Sequence, residues 1–178
     1  MLENILEDCK KQLSAALLHK KHSYRYFTLA TQKKDGGSHL RTVVLRDFDP
    51  LQMQFTIYTD LRSKKVEELT DHPQAQFLFY DATRLIQLVV DAHLVECTQD
   101  THTYQNLPEP SKKDYSSKQT PGTTIERPDQ IVHDFSKGYF TKLTFQAKQL
   151  EYLKLKRPNH IRTLFCDSDQ WKGQFLAP

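Results

Sequence analysis

Ser63, Lys64 and Lys65 open a helical pattern directly behind a β-rich run that ends in Tyr58, Thr59 and Asp60. The first turn of a helix presents open N–H groups and the positive end of its dipole, which favour an anion. Lysines belong at the opposite end on dipole grounds, so a Lys-Lys pair here implies a negative partner nearby. Arg41 and Arg46 stand on the preceding β-rich run and are placed to converge on the same point. An isolated Lys-Lys pair is more often a solvated helix start. With two arginines, Thr59 and Ser63 beside it, the set becomes the inventory of a phosphate site: hydroxyls, amides and cations. Neither Gly-x-x-x-x-Gly-Lys nor Gly-x-Gly-x-x-Gly occurs, so a triphosphate loop and a dinucleotide fold are unsupported.

Gln87 is the second chemical signal. It interrupts an apolar run between Ile86 and Leu88, where a buried amide must find partners. One reading is a glutamine satisfied by backbone or turned outward. The other is an amide that hydrogen-bonds a planar heterocycle carrying imide-like groups.

The elements that must position these residues follow from periodicity. Leu2, Ile5, Leu6, Cys9, Leu13, Ala16 and Leu17 recur at helical spacing, giving an amphipathic helix over 2–19. Residues 24–31 alternate as a strand, and Asp35-Gly36-Gly37 turns the chain into a second strand over 38–47. Further strands are expected over 52–58, 74–80 and 85–97, with a helix over 63–70 that Pro73 stops. Residues 107–129 form a long polar connection rich in Pro, Ser and Lys, and connections of that length are usually functional or disordered. A short helix near 129–135 and strands over 139–145, 149–155 and 160–165 complete the pattern. Short antiparallel strands with few helices point to a mainly β, α+β chain built on a closed or partly closed barrel.

Composition bounds the rest. A chain of 178 residues with 38% hydrophobic and 11% aromatic content reads as one folded domain, 1–178. The net charge of +3 is too weak to argue for nucleic acid. Three widely spaced cysteines give neither a disulfide framework nor a zinc site, so no metal is expected. The absence of a cleavable leader or an apolar span makes the cytoplasm the expected compartment and excludes a membrane role.

These residues together resemble the pyridoxamine 5'-phosphate oxidase family, flavoproteins that hold FMN in a split β-barrel. The resemblance rests on Arg41-Thr42-Val43-Val44-Leu45-Arg46, Tyr58-Thr59-Asp60-Leu61-Arg62-Ser63-Lys64-Lys65, Gln87, Ser117-Lys118-Gln119-Thr120 and the ending Leu176-Ala177-Pro178. It implies that Arg41, Ser63, Lys64 and Lys65 hold the FMN phosphate. Thr42, Val43, Val44, Tyr58 and Thr59 would run alongside the flavin, with Gln87 at the isoalloxazine edge. It further implies a homodimer with FMN at the interface, in which Gln119 and Thr120 reach the flavin of the other subunit. Arg162 would meet the flavin, and His160 the substrate. Arg46, Tyr104 and Ser111 take the places of groups that hold the substrate phosphate.

The departures are equally specific. Pro158 stands two residues before His160, and Pro108 between Tyr104 and Ser111, where the family carries arginines; Ile86 replaces the arginine usual before Gln87, and Leu153 a tryptophan. The cofactor site is therefore expected to be retained and the vitamin B6 phosphate site weakened. Apolar walls for a flavin are expected from Val43, Leu45, Tyr58 and the 88–90 run. No side-chain nucleophile or base is required of a flavin enzyme, and no catalytic residue is named. The reading is an FMN-dependent oxidoreductase acting on a small molecule. Its alternatives are a flavin-binding sensor or carrier with little turnover and, from another class, a small barrel that binds single-stranded nucleic acid through Lys112-Lys113 and scattered aromatics.

Overall fold

In a computed structural model that describes every residue except Lys137, nine strands form one antiparallel sheet that curls into a split barrel. The strands are β1 (Tyr26–Gln32), β2 (Ser38–Val44), β3 (Asp47–Asp49), β4 (Gln54–Asp60), β5 (Gln74–Asp81), β6 (Ile86–Thr98), β7 (Phe140–Lys154), β8 (Ile161–Cys166) and β9 (Gln174–Leu176). Four helices accompany them: α1 (Leu2–Leu18), α2 (Lys64–Asp71), α3 (Thr101–Gln105) and α4 (Glu109–Lys113). The sheet order is β2-β1-β5-β6-β7-β4-β3, with β8 on β7 and β9 on β8.

The split is made by β7. Its first half pairs with β4 and its second half with β8, while β6 runs along both halves. Irregularities between Asp91 and Ala92 and between Leu94 and Glu96 let β6 follow that bend, as bulges do. The Arg46 amide donates to Thr56 O at 2.9 Å, tying the end of β2 to β4. Inside, phenylalanines fill the barrel: Phe27 stacks on Phe79 at 4.5 Å, and Phe77 meets Phe145 edge-on at 5.2 Å. Helix α1 adds Leu6, Cys9, Leu13 and Ala16 to this core.

Most expected elements are present, with four differences. Residues 139–145 and 149–155 are one strand, β7, because pairing with β6 continues through the polar 146–149 stretch. β2 ends at Val44, and the chain re-enters as the short β3. Two short helices, α3 and α4, flank and enter the polar connection. The helix expected near 129–135 is only a single 3-10 turn, Pro128–Gln130.

Gly173 fixes the last turn. Its φ is +76°, and a Cβ there would overlap the ring of Phe165, which has no solvent exposure. Gly173→Ala is expected to cost about 2 kcal/mol through backbone strain and overpacking, lowering the thermal midpoint by several degrees. Calorimetry checks this.

Candidate functional site

Helix α2 starts where β4 ends, and the Thr59 and Ser63 hydroxyls meet across that junction at 3.2 Å. The half-buried Lys65 sends its Nζ to Thr59 Oγ1 at 2.8 Å. Arg41 arrives from β2, on the inward-facing positions it shares with His39 and Val43. Its guanidinium donates to Thr31 Oγ1 and, at 2.9 Å, to Glu68 Oε2. Glu68, 8% exposed, also accepts from Thr31 Oγ1 at 2.6 Å and from His39 Nδ1 at 2.8 Å. Burial alone would raise the Glu68 carboxyl, but these three bonds hold it below its ordinary range. Burial, and then the Arg41 cation, pull the Lys65 ammonium below the ordinary lysine range. Glu68 thus pairs with Arg41 and His39, Lys65 feels Asp60 and Glu68 only through space, and neither Lys64 nor Lys65 has an ion-pair partner among the described residues. Such a cluster is short of negative charge.

Sequence reasoning missed Glu68, His39 and Thr31. The signal for Glu68 was present: it lies three residues after Lys65 and next to the buried Leu69, and helix positions three apart share a face. Arg62 was missed as well. It is held by Asp60 at 2.7 Å, donates at 2.8 and 3.3 Å to the carbonyls of Ser117 and Lys118, and lies 3.3 Å over the Tyr139 ring. This clamp docks residues 117–122 against α2 of the same chain, where a Cβ on Gly122 would come 4.0 Å from Lys64 Cε. The Gln119 amide donates to Gln130 O at 3.0 Å and accepts from Val132 N at 3.2 Å. It therefore serves its own loop rather than reaching outward, while Thr120 is exposed beside it.

Arg46 does not converge with Arg41. Five residues apart along an extended chain, they point to opposite faces. Arg46 lies 5.4 Å over the Tyr58 ring and also reaches the Tyr115 hydroxyl. Tyr58, Tyr104 and Tyr115 all pack on Phe140, with ring separations of 4.9, 5.9 and 5.1 Å. Burial raises the Tyr58 and Tyr115 phenols, and the Tyr104 hydroxyl is buried without a partner among the described residues. The structure thus brings Arg46 and Tyr104 to one aromatic cluster. Ser111 sits apart in the first turn of α4.

The outer face of the sheet carries the remaining expected residues. Register places Tyr80, Gln87, Leu153, Arg162 and Leu176 in one row across β5, β6, β7, β8 and β9. Gln87 and Arg162 are two strands apart, about 10 Å. Gln87 is half-buried with a free amide among the described residues, so it is an outward residue and not a satisfied core glutamine. Arg162 makes two 3.0 Å bonds to Glu151. Thr42 and Val44 share this face with Tyr26 and Thr28, whereas Val43 turns inward. Leu45, Leu88 and Val90 have no exposure; they belong to the barrel interior and cannot wall a ligand. His160, exposed before β8, accepts from Lys156 N at 3.1 Å. A cleft of about 870 Å³, lined by Thr31, Ser38, Gln76 and His93 among others, borders the Arg41 cluster through Thr31, the partner of Arg41 and Glu68. None of the expected site residues lines it.

Residues 6–95 match the model of the family described as pyridoxamine 5'-phosphate oxidase, FMN-binding domain. A pyridoxine/pyridoxamine 5'-phosphate oxidase of Nostoc sp. is 24% identical over 168 residues, covering 93% of this chain and 74% of the relative. One of Acinetobacter baumannii is 31% identical over 165 residues, covering 92% of this chain and 66% of the relative. Among solved structures, a pyridoxamine 5'-phosphate oxidase-related, FMN binding protein from Nostoc punctiforme superposes with a TM-score of 0.76, 22% identity and 96% coverage of both chains. PhzG from Burkholderia lata, solved with tetrahydrophenazine-1-carboxylic acid, gives 0.74 at 18% identity, covering 96% of this chain and 90% of that one. No helix among the described residues is long and apolar enough to cross a membrane.

Proposed function

The chain belongs to the pyridoxamine 5'-phosphate oxidase FMN-binding family, and from that premise we propose that it is an FMN-dependent oxidoreductase working as a homodimer. FMN is the cofactor of this family. The observation that carries the reading is the Arg41–Lys65 pair: two neighbouring, partly buried cations, of which only Arg41 has a carboxylate ion-pair partner, Glu68, among the described residues. That arrangement suits a phosphate, which forms strong charge-assisted hydrogen bonds. Arg41, Ser63, Lys64 and Lys65 would hold the phosphate, with Thr59 orienting Lys65. Thr42, Val44 and Gln87 present one hydroxyl, one apolar side chain and one free amide to a flat ring on the outer face. Tyr58 lends its ring to the Arg46 cluster instead, and Val43 backs the strand from inside. When bound, FMN supplies the hydride or electron chemistry, while the chain supplies position and electrostatics.

A second copy completes the site. Gln87 and Arg162 lie on an open sheet face that a single chain leaves uncovered, next to the exposed apolar residues Tyr26, Leu40, Leu78 and Tyr80. An isologous two-fold interface would bury that patch and enclose two ligands. His160 and Thr120 are exposed and free to meet a ligand held between the two copies. The three free cysteines suit a reducing compartment, and we assign the protein to the cytoplasm.

Light scattering at micromolar concentration is expected to give twice the chain mass, and Leu78→Glu with Tyr80→Glu to give a folded monomer that retains little FMN. A wild-type monomer with FMN bound would contradict the dimer.

A further inference from the structure

Resting on the FMN reading above, we infer that residues 117–122 wall the phosphate end of the cofactor within the same chain, and that Arg62 is the positioning residue that holds them there. In sequence Arg62 stands between Asp60 and the phosphate lysines, and it spends its guanidinium on a clamp. Nε and Nη2 donate to the Asp60 carboxylate at 3.0 and 2.7 Å, Nη2 also to Ser117 O at 2.8 Å, and Nη1 to Lys118 O at 3.3 Å. The Tyr139 ring closes the other side at 3.3 Å, and Tyr139 O accepts from Leu61 N at 2.7 Å. A planar fork meets a carboxylate, two carbonyls and a ring face at once, which a lysine ammonium cannot do.

The clamped segment runs from Arg62 to Lys64 across the start of α2. Thr120-Pro121-Gly122-Thr123 is a turn closed by Thr123 N on Thr120 O at 3.0 Å, with Pro121 second and Gly122 third at φ +89°, the pattern of a type II turn. That tip sits against Lys64, because a Cβ on Gly122 would come 4.0 Å from Lys64 Cε. Behind it, Gln119 braces the segment on Gln130 O and Val132 N, and Lys118 N donates to Val132 O at 2.8 Å. The segment is therefore built before any ligand arrives, with Arg62 at one end and the Lys64 cation at the other. An anion held on Lys64 sits beside this turn, and the segment restrains its release. Preformed contacts act largely through the dissociation rate, where most affinity differences reside. With its donors committed to the clamp, Arg62 is not itself a phosphate ligand.

Arg62→Lys keeps a charge for Asp60 and removes the fork, and Tyr139→Leu removes the ring. Release rates of FMN and of riboflavin, which lacks the phosphate, are read from the recovery of flavin fluorescence. Arg62→Lys is expected to release FMN about tenfold faster than the wild type, the order of one lost hydrogen bond, and riboflavin at the wild-type rate. Tyr139→Leu should act in the same direction. A loss of packing alone would speed both flavins by one factor, and that result overturns the inference, as does unchanged FMN release in both variants. Trypsin reads the clamp independently at the exposed Lys118. In the flavin-free protein the Lys118–Gln119 bond should be cut faster in both variants, and FMN but not riboflavin should slow the cut in the wild type. Equal cleavage of wild type and variants overturns the role of Arg62. A wild type that takes up neither flavin overturns the FMN reading itself, while the cleavage comparison still judges the clamp.

Discussion

Replacing Arg41 and Lys65 together by alanine is expected to weaken FMN binding by about a hundredfold or more, with the chain still folded. Each charge-assisted contact to a phosphate contributes roughly 1.5–3 kcal/mol, and the double variant removes two. Folding survives because Glu68 keeps Thr31 and His39 as partners. Lys65 alone gives a cleaner separation. Its folded-state pKa is lowered by burial and by Arg41, so between that lowered value and the ordinary lysine value the unfolded chain binds more protons. The Lys65 contribution to the stability of the FMN-free protein therefore rises with pH across that window, opposed by Cys9 and the buried tyrosines, whose raised values make their own contributions fall. Lys65→Met should remove that contribution, read as the difference in stability between variant and wild type against pH, leave the FMN-free protein at least as stable at neutral pH, and still lose FMN. Chemical denaturation against pH, paired with fluorescence titration, checks both halves. Retention of wild-type FMN affinity in the double variant would remove the phosphate assignment.

Oxidation of pyridoxine 5'-phosphate is expected to be a hundredfold to ten-thousandfold less efficient than a dedicated oxidase would achieve. The positions that carry arginine in the family are Pro108 and Pro158 here. Proline has no side-chain donor and fixes its own backbone, so neither can clamp a phosphate. Each lost contact to a charged group costs about 1.5–3 kcal/mol. Arg46 remains, but it lies over the Tyr58 ring and reaches Tyr115, so its charge is already partly engaged. Ser111 offers a hydroxyl, and Tyr104 a buried one. Steady-state assay of the FMN-loaded dimer decides the matter, and turnover at rates ordinary for a metabolic enzyme would show that the two prolines are immaterial.

The strands were legible because alternation survives in them: β5 reads buried and exposed in strict turn. The long β7 was not, since Gln146, Lys148 and Gln149 break the apolar pattern in the middle of the strand. Those residues mark where β7 exchanges β4 for β8, which is a topological event and not a chain break. The short helices α3 and α4 carry no buried residues, so they leave no apolar stripe to read. Within the site, Arg41 and Lys65 were found from type and spacing, and the structure brings them together. Arg46 was misplaced, although its odd separation from Arg41 already put it on the other face. Leu45, Leu88 and Val90 were misassigned for the same reason, because an apolar strand residue is equally at home in a core and on a ligand wall. Glu68 escaped notice because a phosphate site is sought through its cations, and the carboxylate that pairs with Arg41 is recognised only once the helix is packed on the strand.

The central claim, that the Arg41–Lys65 cluster and the outer sheet face hold FMN, is tested most directly by the visible absorbance spectrum of the purified protein followed by identification of the released flavin. A yellow protein releasing FMN, near one per chain after loading, is the expected result. A colourless protein that takes up no FMN when the cofactor is supplied would contradict the account.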